Sequence, residues 1–111
     1  MNKKILAISI LMLMMCAMAV SVFAEIPRNA VYKCTEENRV TYIGISDSLN
    51  SNQRYVLLQD SSRNIIRREA GTIKSSGNEI TYSIGNQVYT LRFIDANTIV
   101  DSRDGKTYIR E

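Results

Sequence analysis

Three aspartates, Asp95, Asp101 and Asp104, fall within ten residues of one another. That spacing raises two chemistries, a paired-carboxylate glycosidase and an oxygen cage for calcium. "DANTIVDSRDG" does not support the second, because it lacks the dense run of oxygen ligands that a calcium-binding loop needs. The first requires two carboxyls opposed across a cleft, whereas these lie beside turn signals or on alternating strand positions. Solvated turn carboxylates are the expected role.

Nucleophilic chemistry is poorly supplied. The 111 residues contain no histidine, so neither a Ser-His-Asp nor a Cys-His relay can be assembled. Imidazole and soft ligands for transition metals are scarce for the same reason. Cys34 follows Lys33, and a neighbouring cation lowers a thiol's pKa. Its first reading is still a buried strand residue, and its second a thiol that pairs between chains in an oxidising compartment. No cofactor and no enzymatic activity are expected.

Binding chemistry is better represented. Arg54, Arg63, Arg67 and Arg68 form a basic concentration in the middle of the chain. On an extended strand Arg67 and Arg68 point to opposite sides. They serve either to guard a sheet edge against foreign strands or, as a partner-binding patch, to meet an envelope protein or an anionic envelope polymer. Six tyrosines, Tyr32, Tyr42, Tyr55, Tyr82, Tyr89 and Tyr108, are expected at half-buried strand positions as core or barrel lining.

The elements that position these groups begin after residue 24. Lys3 and Lys4, the uncharged run from Ile5 to Ala24 and the small residues Val22 and Ala24 form a secretory leader, with cleavage between Ala24 and Glu25. Cys16 is preceded by Met15 rather than by the small residue a lipidation site requires, so a lipid anchor is disfavoured. About 20 apolar residues can also span a bilayer uncleaved, but the small-residue cluster favours release. All five methionines leave with this segment, and so do two of the fourteen bases. Twelve bases against eleven acids leave +1 in place of the whole-chain +3. The basicity is thus a targeting feature and no argument for nucleic acid. The expected product is one domain, residues 25–111, secreted or periplasmic, with no membrane span after cleavage.

A domain of that size buries roughly 60–65% of its unfolded surface. With Cys34 as its one remaining cysteine it cannot be stapled by an internal disulfide. Short β-type runs recur between turn signals: "AVYKCT", "RVTYIGI", "RYVLLQD", "IIRREA", "GTIKS", "EITYSI", "QVYTLRFI", "TIVDS" and "KTYIR". Gly85-Asn86 and Asp104-Gly105 are hairpin turns. Ile80, Tyr82 and Ile84 then share one face, and Tyr89, Leu91 and Phe93 another. The expected class is all-β, a small antiparallel meander closing as a lipocalin-like barrel or half-barrel. A short helix near 64–70, capped by Asn64 and ended by Gly71, is the alternative for the centre.

From Tyr55 onward the order "RYVLLQD", "GTIKSSGNEITYS", "YTLRF", "NTIVDSRDGKTYI" resembles small lipocalin-like β-barrels of bacterial envelope proteins. It is similar in particular to the N-terminal domain of the copper-homeostasis, envelope-stress lipoprotein family. The marks are Gly71, Gly77 with Ile80, Tyr89, and Ile99-Val100-Asp101 ahead of Gly105. The resemblance implies a barrel and an envelope location. That family's Cys-x-x-Cys and lipid-bearing cysteine are missing after the leader, so its metal, redox and sensing roles do not carry over. "VYKCTEENRVTY" also resembles the first hairpin of periplasmic c-type lysozyme inhibitors, without their second cysteine or tryptophan-rich end. Three functions follow as expectations: binding of an envelope component through surface loops, blockade of a secreted hydrolase by "SDSLNSNQ" or "KSSGNE", and carriage of a small ligand among the tyrosines.

Overall fold

Period-two alternation runs through most of the chain, and turn residues cut it into lengths too short for anything but a meander. The computed structural model describes residues 25–111. The expected leader, with Cys16 and the junction at Ala24, lies outside the described residues. Eight antiparallel strands follow in order: β1 (Ala30–Glu36), β2 (Arg39–Asp47), β3 (Gln53–Gln59), β4 (Ile65–Ile73), β5 (Glu79–Ile84), β6 (Gln87–Asp95), β7 (Thr98–Asp101) and β8 (Lys106–Arg110). Each pairs with its neighbours in sequence, and β8 returns to β1, closing a barrel. Gly85 and Gly105 take φ of 59° and 71° in the two turns expected for them.

Closure is uneven. Within β1–β4 and within β5–β8 the strands pair over most of their lengths. The two halves meet more sparingly. β4 pairs with β5 at Thr72↔Thr81 and Ile73↔Ile80, and β1 with β8 at Tyr32↔Arg110 and Lys33↔Ile109. Both seams are joined at the end that carries the N-terminal segment and diverge toward the end that carries the β1–β2, β3–β4, β5–β6 and β7–β8 turns. The barrel therefore resembles two curved sheets hinged at a closed end and parted at an open one.

Inward positions carry the core: Tyr32, Ile43, Ile45, Val56, Ile80, Tyr82, Leu91, Phe93, Ile99 and Tyr108 are all buried. Tyr32 and Phe93 meet edge to face, centroids 5.8 Å apart. The two faces expected around Gly85-Asn86 are the observed ones, since Tyr82 pairs with Tyr89 and Ile80 with Leu91.

The centre is strand, and no helix is found among the described residues. Asn64 caps nothing. The Asp60 carboxylate instead accepts the Ser62 and Asn64 N–H groups, both at 2.9 Å, and holds a turn in which Arg63 reaches φ 66°. Ile65 and Ile66 then enter a strand that β3 pairs along its length. "IIRREA" and the first three residues of "GTIKS" belong to this one strand, and Gly71 lies inside it.

Candidate functional site

At the closed end β3 turns Arg54 inward, in line with Val56, and its side chain is fully buried. Its Nε donates to the Pro27 carbonyl at 3.2 Å. One terminal nitrogen donates to the Ser51 and Gln53 carbonyls at 3.1 and 2.8 Å. The other reaches the Ile26 carbonyl at 3.1 Å and the Glu25 carboxylate at 3.4 Å. A guanidinium has five N–H donors in a fixed fork, and here all five partners come from two segments, residues 25–27 and residues 51–53 at the entry to β3. Arg54 thus stitches the N-terminal segment across the barrel end and seats Ile26, 1% exposed, as a stopper.

The β2–β3 loop, residues 48–52, is braced on both sides. The Gln53 N–H donates to the Asn50 carbonyl at 3.1 Å, and the Ile73 N–H to the Asn52 carbonyl at 2.8 Å. The Asp47 carboxylate accepts the Ser48 N–H at 3.0 Å and the Arg28 guanidinium at 3.1 Å. From this held backbone Leu49 projects wholly into solvent, at 105% relative exposure. A scattered apolar surface residue is ordinary. A fully projecting leucine on a loop whose ordering cost is already met by folding is a contact that binding need not stiffen.

At the open end a cavity of about 310 Å3 lies between the two sheets. Arg39, Thr41, Leu58 and Arg67 line it from the first, and Ile84, Arg103, Lys106 and Tyr108 from the second. Most of its charge is internally spent. Lys106 pairs with Glu36 at 2.7 Å and Arg67 with Glu69 at 3.2 Å. Arg103 pairs with Asp101 at 3.2 Å and with Asp104 at 3.6 Å. Arg39 pairs with no acid among the described residues.

Two tyrosine–aspartate bonds underlie this network. The Tyr82 hydroxyl donates to the Asp101 carboxylate at 2.8 Å, and the Tyr108 hydroxyl to Asp104 at 2.6 Å. Burial, and after it the aspartate charge, pushes Tyr82 well above the usual phenol range. Burial does the same to Tyr108, followed by its hydrogen bond to Asp104. Asp101 is itself raised by burial, against the Arg103 N–H, the Tyr82 hydroxyl and the Arg103 charge, which favour its ionised form. The expectation of solvated carboxylates is corrected here. Asp101 is fully buried, because its strand phase turns it inward onto Tyr82. Asp95 does sit at a turn, accepting the Asn97 N–H at 2.8 Å.

The four arginines expected to form a patch are dispersed. Arg54 is inside the closed end and offers no surface to a partner. Arg63 lies over the Tyr42 ring, 4.6 Å from its centroid, and pairs with Glu111. Arg67 faces the cavity, and Arg68 lies on the outer wall over Tyr55, 4.0 Å from its ring centroid. Arg67 and Arg68 take opposite sides, as strand alternation requires. Cys34 is buried among the core side chains, and burial, then Glu36, raises its thiol above the ordinary range. An intermolecular disulfide would have to reach that thiol through the cleft between β1 and β8 that Lys33, Thr107 and Ile109 line. The interior expected for a carrier is filled by the protein's own Tyr32, Tyr82, Phe93 and Tyr108, each no more than 1% exposed. This weighs against a ligand held among the tyrosines.

No protein-family model, curated protein or solved structure matches the chain. The site therefore stands on its own geometry. Sequence reasoning passed over Leu49, although a lone apolar residue within "SDSLNSNQ" was the available signal. It also passed over Arg39, Arg103 and Lys106, because Arg39 is more than sixty residues from the other two in the chain and meets them only through strand register.

Proposed function

We propose that this protein is an exported, non-enzymatic binding domain that grips an envelope protein through the β2–β3 loop at the closed end of its barrel. One observation carries the reading: Leu49 is fully exposed on a loop already fixed by Arg54, Asp47 and the Ile73 N–H. A projecting apolar side chain on a stiff support suits a pocket on a partner, with the polar Ser48, Asn50 and Ser51 around it as a rim. The resemblance to lipocalin-like envelope barrels supports the compartment. The spending of Asp101 on Tyr82 and of Asp104 on Tyr108 supports the absence of catalysis.

The test is capture from an envelope extract on immobilised protein, comparing the native chain with Leu49→Asp and with Val88→Asp on the outer wall. A protein retained by the native chain and by Val88→Asp, and lost by a folded Leu49→Asp, is the expected result. Equal recovery by Leu49→Asp overturns the reading.

The same loop favours a second reading, an inhibitor that places Leu49 in the cleft of a secreted hydrolase. Loss of a hydrolase's activity on mixing, restored by Leu49→Asp, distinguishes blockade from simple docking.

A further inference from the structure

We propose that the free edge of β4, over residues 65–70, accepts an extended acidic polypeptide segment from another protein as an added strand. The Ile73 N–H points toward the β3 side, to the Asn52 carbonyl, and the Lys74 N–H toward β5, to the Glu79 carbonyl. Alternation along the strand then directs the backbone groups of Thr72, Ala70 and Arg68 toward β5. Pairing with β5 stops at Thr72↔Thr81. The N–H and C=O groups of Ala70 and Arg68 therefore face the parted seam, a two-residue template with four hydrogen bonds to offer. Such an edge is what strand addition uses, with main-chain bonds giving affinity and alternate side chains giving specificity.

The side chains on that edge select the occupant. Ile65 and Ile66 are 56% and 70% exposed, an apolar start for the incoming strand. Arg68, held over Tyr55, pairs with no acid among the described residues, and neither does Arg39 in the adjoining cavity. An incoming strand would set one face against Arg68 and turn the other toward Leu58 and Ile84 in the cavity. Acidic residues alternating with apolar ones meet both demands. A second copy of this chain does not. The antiparallel register that engages the backbone of both Arg68 and Ala70 sets Glu69 opposite Glu69, and a shift of one step sets Arg68 opposite Arg68; directly opposed like charges destabilise a strand pair. This site is at the other end of the barrel from Leu49 and does not rest on that loop's role.

The experiment is residue-resolved amide hydrogen exchange on the purified protein. Its probe is the acetylated, amidated pentapeptide Val-Glu-Val-Glu-Val, with Val-Lys-Val-Lys-Val and N-methylated forms of the acidic peptide as controls. In the free protein the Arg68 and Ala70 amides are expected to exchange at least 100-fold faster than that of Thr72. Saturating acidic peptide should slow both by tenfold or more, and the controls should not. Arg68→Glu should reverse the preference toward the lysine peptide, and Leu49→Asp should leave the slowing unchanged. Three results each overturn the proposal: Arg68 and Ala70 as protected as Thr72 without peptide, no slowing by the acidic peptide, or protection that grows with protein concentration alone. The last would mean that a second copy takes the edge.

Discussion

Gly71→Ala tests whether the β4–β5 seam is packed as tightly at its joined end as the geometry indicates. A Cβ placed on Gly71 would sit 2.4 Å from Ile80 Cγ2 and 3.2 Å from both the Arg54 carbonyl oxygen and Val56 Cγ2. Carbon atoms settle at about 3.5–4.0 Å, so Ile80 would have to retreat by about 1 Å or more. It has little room to do so. Ile80 is fully buried and β-branched, hence stiff at χ1, and it pairs with Leu91 on one side and Ile73 on the other. The Arg54 carbonyl belongs to the residue directly opposite Gly71 in β3 and cannot move without disturbing the closed end. Overpacking of this kind costs about 1–3 kcal/mol. Replacing glycine returns about 0.4–1 kcal/mol by narrowing the unfolded ensemble. The net expectation is a loss of about 1–2 kcal/mol, or a fall in Tm of roughly 5–15 °C for a domain this small. Urea unfolding followed by circular dichroism and tyrosine fluorescence reads it directly. Ile80→Ala alone should cost about 2–5 kcal/mol through the cavity it leaves. The double variant should be more stable than the sum of the two losses by about 1 kcal/mol or more, because the new methyl partly fills that cavity. Gly71→Ala as stable as the native protein, or a cycle additive to within about 0.5 kcal/mol, would refute the reasoning.

Arg54→Met keeps much of the volume but leaves the Ile26, Pro27, Ser51 and Gln53 carbonyls without their donor. Stability should drop by about 3 kcal/mol or more, residues 25–29 should become open to proteolysis, and a loss under about 1 kcal/mol would contradict the stitching role. Stability should also fall as pH rises beyond about 10, where unfolded tyrosines ionise. Burial holds Tyr32, Tyr82 and Tyr108 protonated in the folded state, so the unfolded state binds fewer protons there. The slope is at most about 1.4 kcal/mol per pH unit for each tyrosine, and urea midpoints between pH 9 and 11 should show it flattened by Tyr82→Phe. Cys34, buried and with a raised pKa, should react with an aromatic disulfide reagent at least 100-fold more slowly in the folded protein than in urea; comparable rates would place the thiol at the surface.

Local pattern determined a good deal of this protein. Alternation in "EITYSI" and "QVYTLRFI", with Gly85 between them, specifies a hairpin and its inward face through covalent geometry that a neighbouring strand does not change. The missing histidine excludes the common catalytic relays before any fold is considered. Where turn chemistry and packing compete for one residue type, pattern misleads. Gly71 reads as a break between two runs, yet it lies within β4, where the closeness of Ile80 leaves no space for a side chain. Tertiary structure alone decided the fate of the arginines. Arg54 and Arg63 look alike in sequence, but the barrel end surrounds one with carbonyls and leaves the other half exposed over the buried Tyr42 ring. It alone decided, too, that the two sheets part at one end, because pairing across β4–β5 and β1–β8 depends on contacts between distant segments. Period-two alternation sets which way a side chain points, and only closure of the barrel sets what it meets there.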